Sequence, residues 1–217
     1  MNEKSEKPIH LAGVKMGRHR HVCALFENQK QGDKVIIPFL KEGIERGERV
    51  CCISGVEIRT HLLQKLQLAG IEVAMAEKGG QLKFDQWGPS MVRSGHFDQE
   101  AVVSRIEDML KEGREQGFEL TRFVGYMEWA RDNNVDIDDL VEFETHVTRM
   151  LEEFNDPVIC AYNLSAFNAG ALVNILRTHP VAILGDVVAE NPFFDPPEVV
   201  LRELRGGGAG ANDRMEG

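Results

Sequence analysis

His21-Val22-Cys23-Ala24-Leu25-Phe26 is an apolar run that reads as a buried strand, and Val35 to Glu45 has the spacing of a helix that follows it. Between them stands Glu27-Asn28-Gln29-Lys30-Gln31-Gly32-Asp33-Lys34. In a nucleotide-binding α/β protein this turn is glycine-rich, so that backbone N–H groups can approach phosphates, and it ends in Lys-Ser or Lys-Thr. Here it holds one glycine and two carboxylates, with no Ser or Thr after the lysine. The acids repel a triphosphate, and a single glycine cannot shape the cradle. The expectation is an α/β fold stripped of the usual NTPase site, with sensing rather than catalysis as its task.

Outward from this stretch, short apolar runs alternate with amphipathic segments, the pattern of a mostly parallel sheet covered by helices. Strands are predicted at Arg49–Ser54, Ile71–Met75, Arg122–Met127, Pro157–Asn163 and from Val181. Helices are predicted over Glu57–Leu68, Ala101–Glu115 with Asp98 as N-cap, Ile137–Phe154 and Ala169–Arg177. Glu77 to His96 lacks regular spacing, holds Trp87, and suits a lid or binding loop. Residues 1–18 are polar and read as a flexible or loosely docked arm, 19–204 as one domain, and 205–217 as a disordered glycine-rich tail.

The chain has 217 residues, 42% hydrophobic and 28% charged, and a formal net charge of −10, which disfavours direct attachment to nucleic acid or anionic membrane. No apolar run approaches the roughly 18 residues of a membrane span, and the first residues have no signal-peptide core, so a cytoplasmic location is expected. The four cysteines lie in apolar runs without CxxC spacing and read as buried free thiols.

In a doubly wound sheet the ligand crevice lies beyond the carboxyl ends of the strands. Phe26, Glu27 and Asn28, Ser54 and Gly55, Glu128 and Trp129, and Asn163 and Leu164 fall there. Glu128 occupies the position of a water-activating acid in an ATPase, but without a phosphate cradle it reads equally as a pocket wall or an ordinary salt-bridged carboxylate. His19, His21 and Cys23 share one strand face by period 2, although same-face neighbours on one strand seldom close a tetrahedral metal site. His179, in Thr178-His179-Pro180, either donates into the crevice or caps the preceding helix. Glu144 and His146 sit on a long helix whose charges suit a solvated face. No serine lies in a nucleophile elbow.

The ordered residues resemble the MEDS domain, the methanogen/methylotroph DcmR-type sensory family. The landmarks are His21-x-Cys23-x-x-Phe26, Phe39-Leu40-x-x-Gly43-x-x-x-Gly47-Glu48, Gly95-x-Phe97-Asp98, Gly125-x-Met127-x-Trp129-Ala130, Phe143-Glu144, Cys160-x-Tyr162, Thr178-His179-Pro180 and Asn191-Pro192. The resemblance implies a three-layer, RecA-like (P-loop-NTPase-like) α/β fold with helices on both faces of a mostly parallel sheet and no Walker A motif. It also implies a non-enzymatic sensory module for small organic molecules such as hydrocarbon derivatives. Such a module signals to a histidine kinase, an anti-sigma factor or a transcription regulator, and a homo-oligomer is compatible with it. The chain departs from the family pattern at Tyr126, where an acid is usual, at Phe143, where Tyr is usual, and at Thr148, where Asn is common. The candidate ligand-binding residues are therefore His21, Glu128, Trp129, Glu144, Tyr162 and His179, with no catalytic residue, metal ligand or cofactor. The rival readings are a residual nucleotide-binding protein or ATPase using Lys30 or Lys34 with Glu128, and an interaction protein with a vestigial pocket.

Overall fold

The computed structural model describes residues 8–87, 92–93 and 96–207. The strands that read as continuous apolar runs, β3 (His21–Phe26), β4 (Arg49–Ile53), β8 (Thr121–Tyr126) and β9 (Val158–Asn163), are buried along almost their whole length. They form the centre of a sheet with parallel pairing throughout. This is the pattern expected where helices cover both faces. One face carries α1 (Gln29–Glu45), α2 (Val56–Leu68) and α3 (Val73–Lys78) over Val22, Ala24, Cys52, Val124 and Ile159. The opposite face carries α4 (Gln99–Glu115), α5 (Glu128–Asp132), α6 (Ile137–Met150) and α7 (Ala169–Leu176) over Cys23, Leu25, Phe123 and Cys160.

Parallel β5 (Leu82–Asp85) closes one sheet edge beside β4. At the other edge, β10 (Val181–Leu184) runs parallel to β3 and turns through Gly185, at φ +67°, into antiparallel β11 (Val187–Glu190). The strand order is β11-β10-β3-β9-β8-β4-β5. A helix not expected from the sequence, α8 (Pro197–Gly207), packs on α6.

Several expectations are corrected. Helix α1 begins at Gln29, capped by Asn28, whose Oδ1 accepts from the Gln31 N–H at 3.0 Å. Most of the presumed turn is therefore helix. Ile71–Met75 is not a strand: Gly70, at φ +88°, ends α2, and Val73 starts α3, so the next strand is Leu82–Asp85 inside the segment read as irregular. Before residue 19 the chain is docked where it is described. Residues His10–Leu11 (β1) and Val14–Lys15 (β2) form a hairpin through Ala12 and Gly13, both at positive φ, and bury Ile9, Leu11 and Met16 against α1. The expected disordered tail is corrected at its start, since 205–207 belong to α8; residues 1–7 and 208–217, to which the arm and tail expectations extend, lie outside the described residues, as do 88–91 and 94–95. A short pair, β6 (Val92–Arg93) and β7 (His96–Phe97), precedes α4. All four cysteines are buried and free, and among the described residues no helix is long and apolar enough to cross a membrane.

Two arginines are sealed between helix and sheet. Arg122 on β8 is fully buried and donates to Glu48 Oε2 at 2.5 Å, Glu42 Oε2 at 2.8 Å and the Phe39 carbonyl at 2.8 Å. A Cβ on Gly43 would lie 2.7 Å from Arg122 Cδ, so the glycine lets α1 approach the sheet. Arg49 donates to the Met109 carbonyl on the opposite face, beneath Gly113 of α4. We predict that Gly43→Ala costs about 1–3 kcal/mol by overpacking a side chain that charge pairing prevents from moving. Urea unfolding measures this, and an unchanged midpoint would contradict the packing assignment.

For Glu42, burial pushes the carboxyl up, but hydrogen bonds from His10 and Arg122 outweigh it and leave the pKa lowered from 4.5 to about 2. The Lys83 hydrogen bond, with that of Arg49, likewise lowers Glu112 to about 2. Folded values below the unfolded ones mean that these carboxylates contribute stability present above about pH 4.5 and lost as the pH falls toward about 2. Chemical unfolding across that window should show a declining acid limb that flattens in Glu42→Gln.

Candidate functional site

At the carboxyl ends of the strands, Phe26, Asn28, Gln29, Gly32, Tyr126, Glu128, Tyr162 and Asn163 surround a cleft of about 20 Å³, room for a water molecule. Gly32 is turned against the Phe26 ring, where a Cβ would stand 3.2 Å away. The space in which a phosphate loop would curl is filled by an aromatic side chain and the first turns of α1. Glu128 lies at the start of α5, and burial raises its carboxyl pKa.

Trp129 points elsewhere. It stacks on Trp87 with ring centroids 4.7 Å apart and meets Phe97 at 4.9 Å and Phe143 at 6.4 Å. The Trp87 indole N–H donates to the Tyr126 carbonyl at 2.7 Å, tying the segment after β5 to the end of β8. Among the described residues the buried Trp129 Nε1 has no hydrogen-bond partner.

The remaining candidates converge in the core, between α6 and the sheet. Glu144 is fully buried, contrary to the solvated face expected for it. Its Oε1 accepts the Tyr162 hydroxyl in a short hydrogen bond. Its Oε2 lies 3.3 Å from His21 Nε2, 3.3 Å from Cys160 Sγ and 3.5 Å from His179 Nε2. The two imidazole rings are 4.0 Å apart. His21 Nδ1 is 2.6 Å from Thr148 Oγ1, which itself donates to the Thr178 carbonyl at 2.6 Å. His179 Nδ1 is 2.9 Å from the Ile175 carbonyl at the end of α7, so it both caps that helix and turns its other nitrogen to Glu144.

Burial, followed by the nearby His179, lowers the His21 pKa from 6.5 to about 4. Burial, then Glu144, pushes the Cys160 thiol and the Tyr162 phenol well up. Burial also pushes Glu144 up, but the two imidazoles outweigh it and hold the carboxyl below the usual range. Glu144 is thus held ionised by the two imidazoles and by the Tyr162 hydroxyl.

The tertiary structure therefore unites His21, Glu144, Tyr162 and His179, but away from the strand-end crevice where the sequence put them. Glu128 and Trp129 stand apart from this cluster. Tyr162 joins it to the cleft, since it both lines the cleft and holds Glu144. His19 does not take part and instead accepts from Arg18 at 3.3 Å. Cys160 and Thr148 were missed as site residues. The available signals were period 2 from Tyr162, which puts Cys160 on its face, and the four-residue step from Glu144 to Thr148 on α6.

This architecture is a RecA-like α/β fold in which the residues after β3 are packed helix. It is similar to the flagellar accessory protein FlaH from Methanocaldococcus jannaschii (TM-score 0.52, 14% identity, 79% of this chain and 76% of that one). It is also similar to the uncharacterized protein PH0321 from Pyrococcus horikoshii, solved in complex with an unknown peptide (TM-score 0.58, 11% identity, 78% of each chain). The chain belongs to the MEDS family, the MEthanogen/methylotroph, DcmR Sensory domain, whose model matches residues 20–180. The transcriptional repressor DcmR of Methylorubrum extorquens (strain DSM 6343 / CIP 106787 / DM4) is 25% identical over 178 residues, 81% of this chain and 64% of the repressor. The matched region is thus less than two thirds of that protein's length.

Removing the phenol oxygen from Tyr162 leaves an ionised carboxylate oxygen short of a donor. Tyr162→Phe is expected to cost about 1–3 kcal/mol of stability in urea unfolding. A neutral result would mean that Glu144 does not depend on this bond.

Proposed function

We propose that the chain is a cytoplasmic, non-catalytic sensory module that takes a small, largely apolar organic molecule into the aromatic layer of Trp87, Phe97, Trp129 and Phe143. The observation that carries this reading is the stacked pair Trp87–Trp129, in which a buried indole N–H lacks an acceptor. An unpaired buried donor costs about 1–3 kcal/mol. A ligand with an acceptor atom recovers that cost while its apolar body replaces the ring contact, which suits a site that is collapsed when empty of ligand.

Phe143 and Glu144 are adjacent on α6, so a displacement of the aromatic layer bears directly on the buried network and on α8, which packs against α6. Ligand binding shifts this arrangement by its differential affinity, for which a few kcal/mol suffices. The output passes to a signalling protein: a histidine kinase, an anti-sigma factor or a transcription regulator. Similarity to a transcriptional repressor favours the last of these, and the net charge of −10 suits a basic protein partner better than direct contact with DNA. The packing of Gly32 on Phe26 argues against the nucleotide reading.

The chain has two tryptophans, and both belong to the proposed site, so intrinsic fluorescence reports on it directly. Titration with a panel of small organic compounds should change the emission for at least one, and the response should be lost in Trp129→Phe. The same compound at 100 times its Kd should stabilise the protein by about 2.7 kcal/mol. Stabilisation by Mg·ATP alone would instead restore the nucleotide reading, and partner binding indifferent to every compound would leave an interaction module.

A further inference from the structure

Four potential ligand atoms, each from a different element, meet in the core: His21 from β3, Glu144 from α6, Cys160 from β9 and His179 from the turn before β10. They lie within 4.8 Å of one another, and all four residues are buried. The nitrogen–oxygen separations, 3.3 Å for His21 and 3.5 Å for His179, are long for hydrogen bonds to a charged carboxylate, which run at about 2.7–2.9 Å. The sulfur separations, 3.3 Å from Cys160 to Glu144 and 3.4 Å from Cys160 to His21, suit either a thiol hydrogen bond or a ligand edge. In a tetrahedron with bonds of about 2.0–2.3 Å, the edges are about 1.6 times longer, roughly 3.3–3.8 Å. Four of the six edges fall in that interval, and the remaining two, from His179 to His21 and to Cys160, are no longer than 4.8 Å.

The histidine tautomers point the same way. Thr148 Oγ1 spends its proton on the Thr178 carbonyl, so it accepts from His21, which must carry hydrogen on Nδ1. The Ile175 carbonyl can only accept, so His179 is also protonated on Nδ1. In neutral rings both Nε2 atoms then turn lone pairs toward Glu144 Oε2, and among the described residues His179 Nε2 makes no hydrogen bond. Two lone pairs and a carboxylate oxygen facing one point repel unless a cation lies among them. The Cys160 thiol hydrogen answers one of the contacts and a proton on one imidazole another, whereas a single cation among the four atoms answers all of them.

We propose that His21, Glu144, Cys160 and His179 bind one zinc ion in a closed tetrahedral site. Two neutral imidazoles, one thiolate and one carboxylate with Zn²⁺ sum to zero charge, which makes burial in the core affordable without any further counter-ion. The thiolate and imidazoles disfavour magnesium and calcium, which take oxygen donors. Thr148 and the Ile175 carbonyl fix the two rings, and Tyr162 holds the other oxygen of Glu144, the outer-shell arrangement that orients metal ligands. Binding displaces the Cys160 thiol proton to solvent. With four protein donors no position is left open, so the ion crosslinks the α6 layer to β3 and β9 rather than activating water. This inference is independent of the sensory reading, since the site stands whether or not the aromatic layer binds a ligand.

The test uses the full chain, purified reduced and without a polyhistidine tag, then loaded with zinc and dialysed for elemental analysis. About one zinc per chain is expected, falling at least tenfold in Cys160→Ser and in His179→Gln while Cys23→Ala retains it. Because those variants could unfold, the wild-type protein is also loaded with Co²⁺. Intense visible bands of tetrahedral cobalt with a thiolate charge-transfer band in the near ultraviolet are expected. Less than a tenth of an equivalent of zinc, a weak octahedral cobalt spectrum, or full metal content in both ligand variants would each overturn the site.

Discussion

A carboxylate removed from water has to be met by donors or cations on every side, and Glu144 imposes that condition on the middle of this fold. At zero exposure it draws in Tyr162 and Cys160 from β9, His21 from β3 and His179 from the turn that starts β10. These contacts specify how α6 lies over three adjacent strands, more narrowly than apolar packing alone would, because a shift of one residue would strand a charge in the core. The threonines and carbonyls behind the histidines extend the same constraint to the end of α7.

On the other face the same problem is solved with the opposite sign. Arg122 is enclosed by Glu42, Glu48 and the Phe39 carbonyl, and its aliphatic part passes beneath Gly43. Between these two buried ionic centres, the packing of Phe26 against Gly32 leaves the strand-end crevice only about 20 Å³. The polar cluster lies in the layer beneath α6, and the aromatic cluster surrounds Trp129.

The parts of this architecture legible in the chain were those in which one residue pattern admits one outcome. β3, β4, β8 and β9 each carry a continuous apolar run, so their burial could be read directly, and Asp98 announced the start of α4 through its side chain. Edge strand β5, Leu82-Lys83-Phe84-Asp85, is half polar because only one neighbour covers it, and the β-branched Ile71 and Val73 attracted the strand assignment instead. The first turns of α1 are polar, with only Gly32 buried before Val35, and so looked like a loop. Glu144 follows Leu140 by four residues and precedes Val147 by three on the buried stripe of α6. That interruption of an apolar stripe was the readable sign, but an isolated charge on a helix is ordinarily solvated.

The sequence by itself determined the layered α/β class, the loss of the phosphate loop, the burial of the cysteines and the family, because each depends on local pattern or on ordered motifs along the chain. Only the tertiary structure decided that His21, Glu144, Cys160 and His179 share one point, that Trp129 belongs with Trp87 instead, and that Tyr162 links the cluster to the cleft. Residues separated by as many as 158 positions, from His21 to His179, meet there. Nothing in local propensity encodes that meeting; it follows from strand order, which brings β10 and β9 to either side of β3.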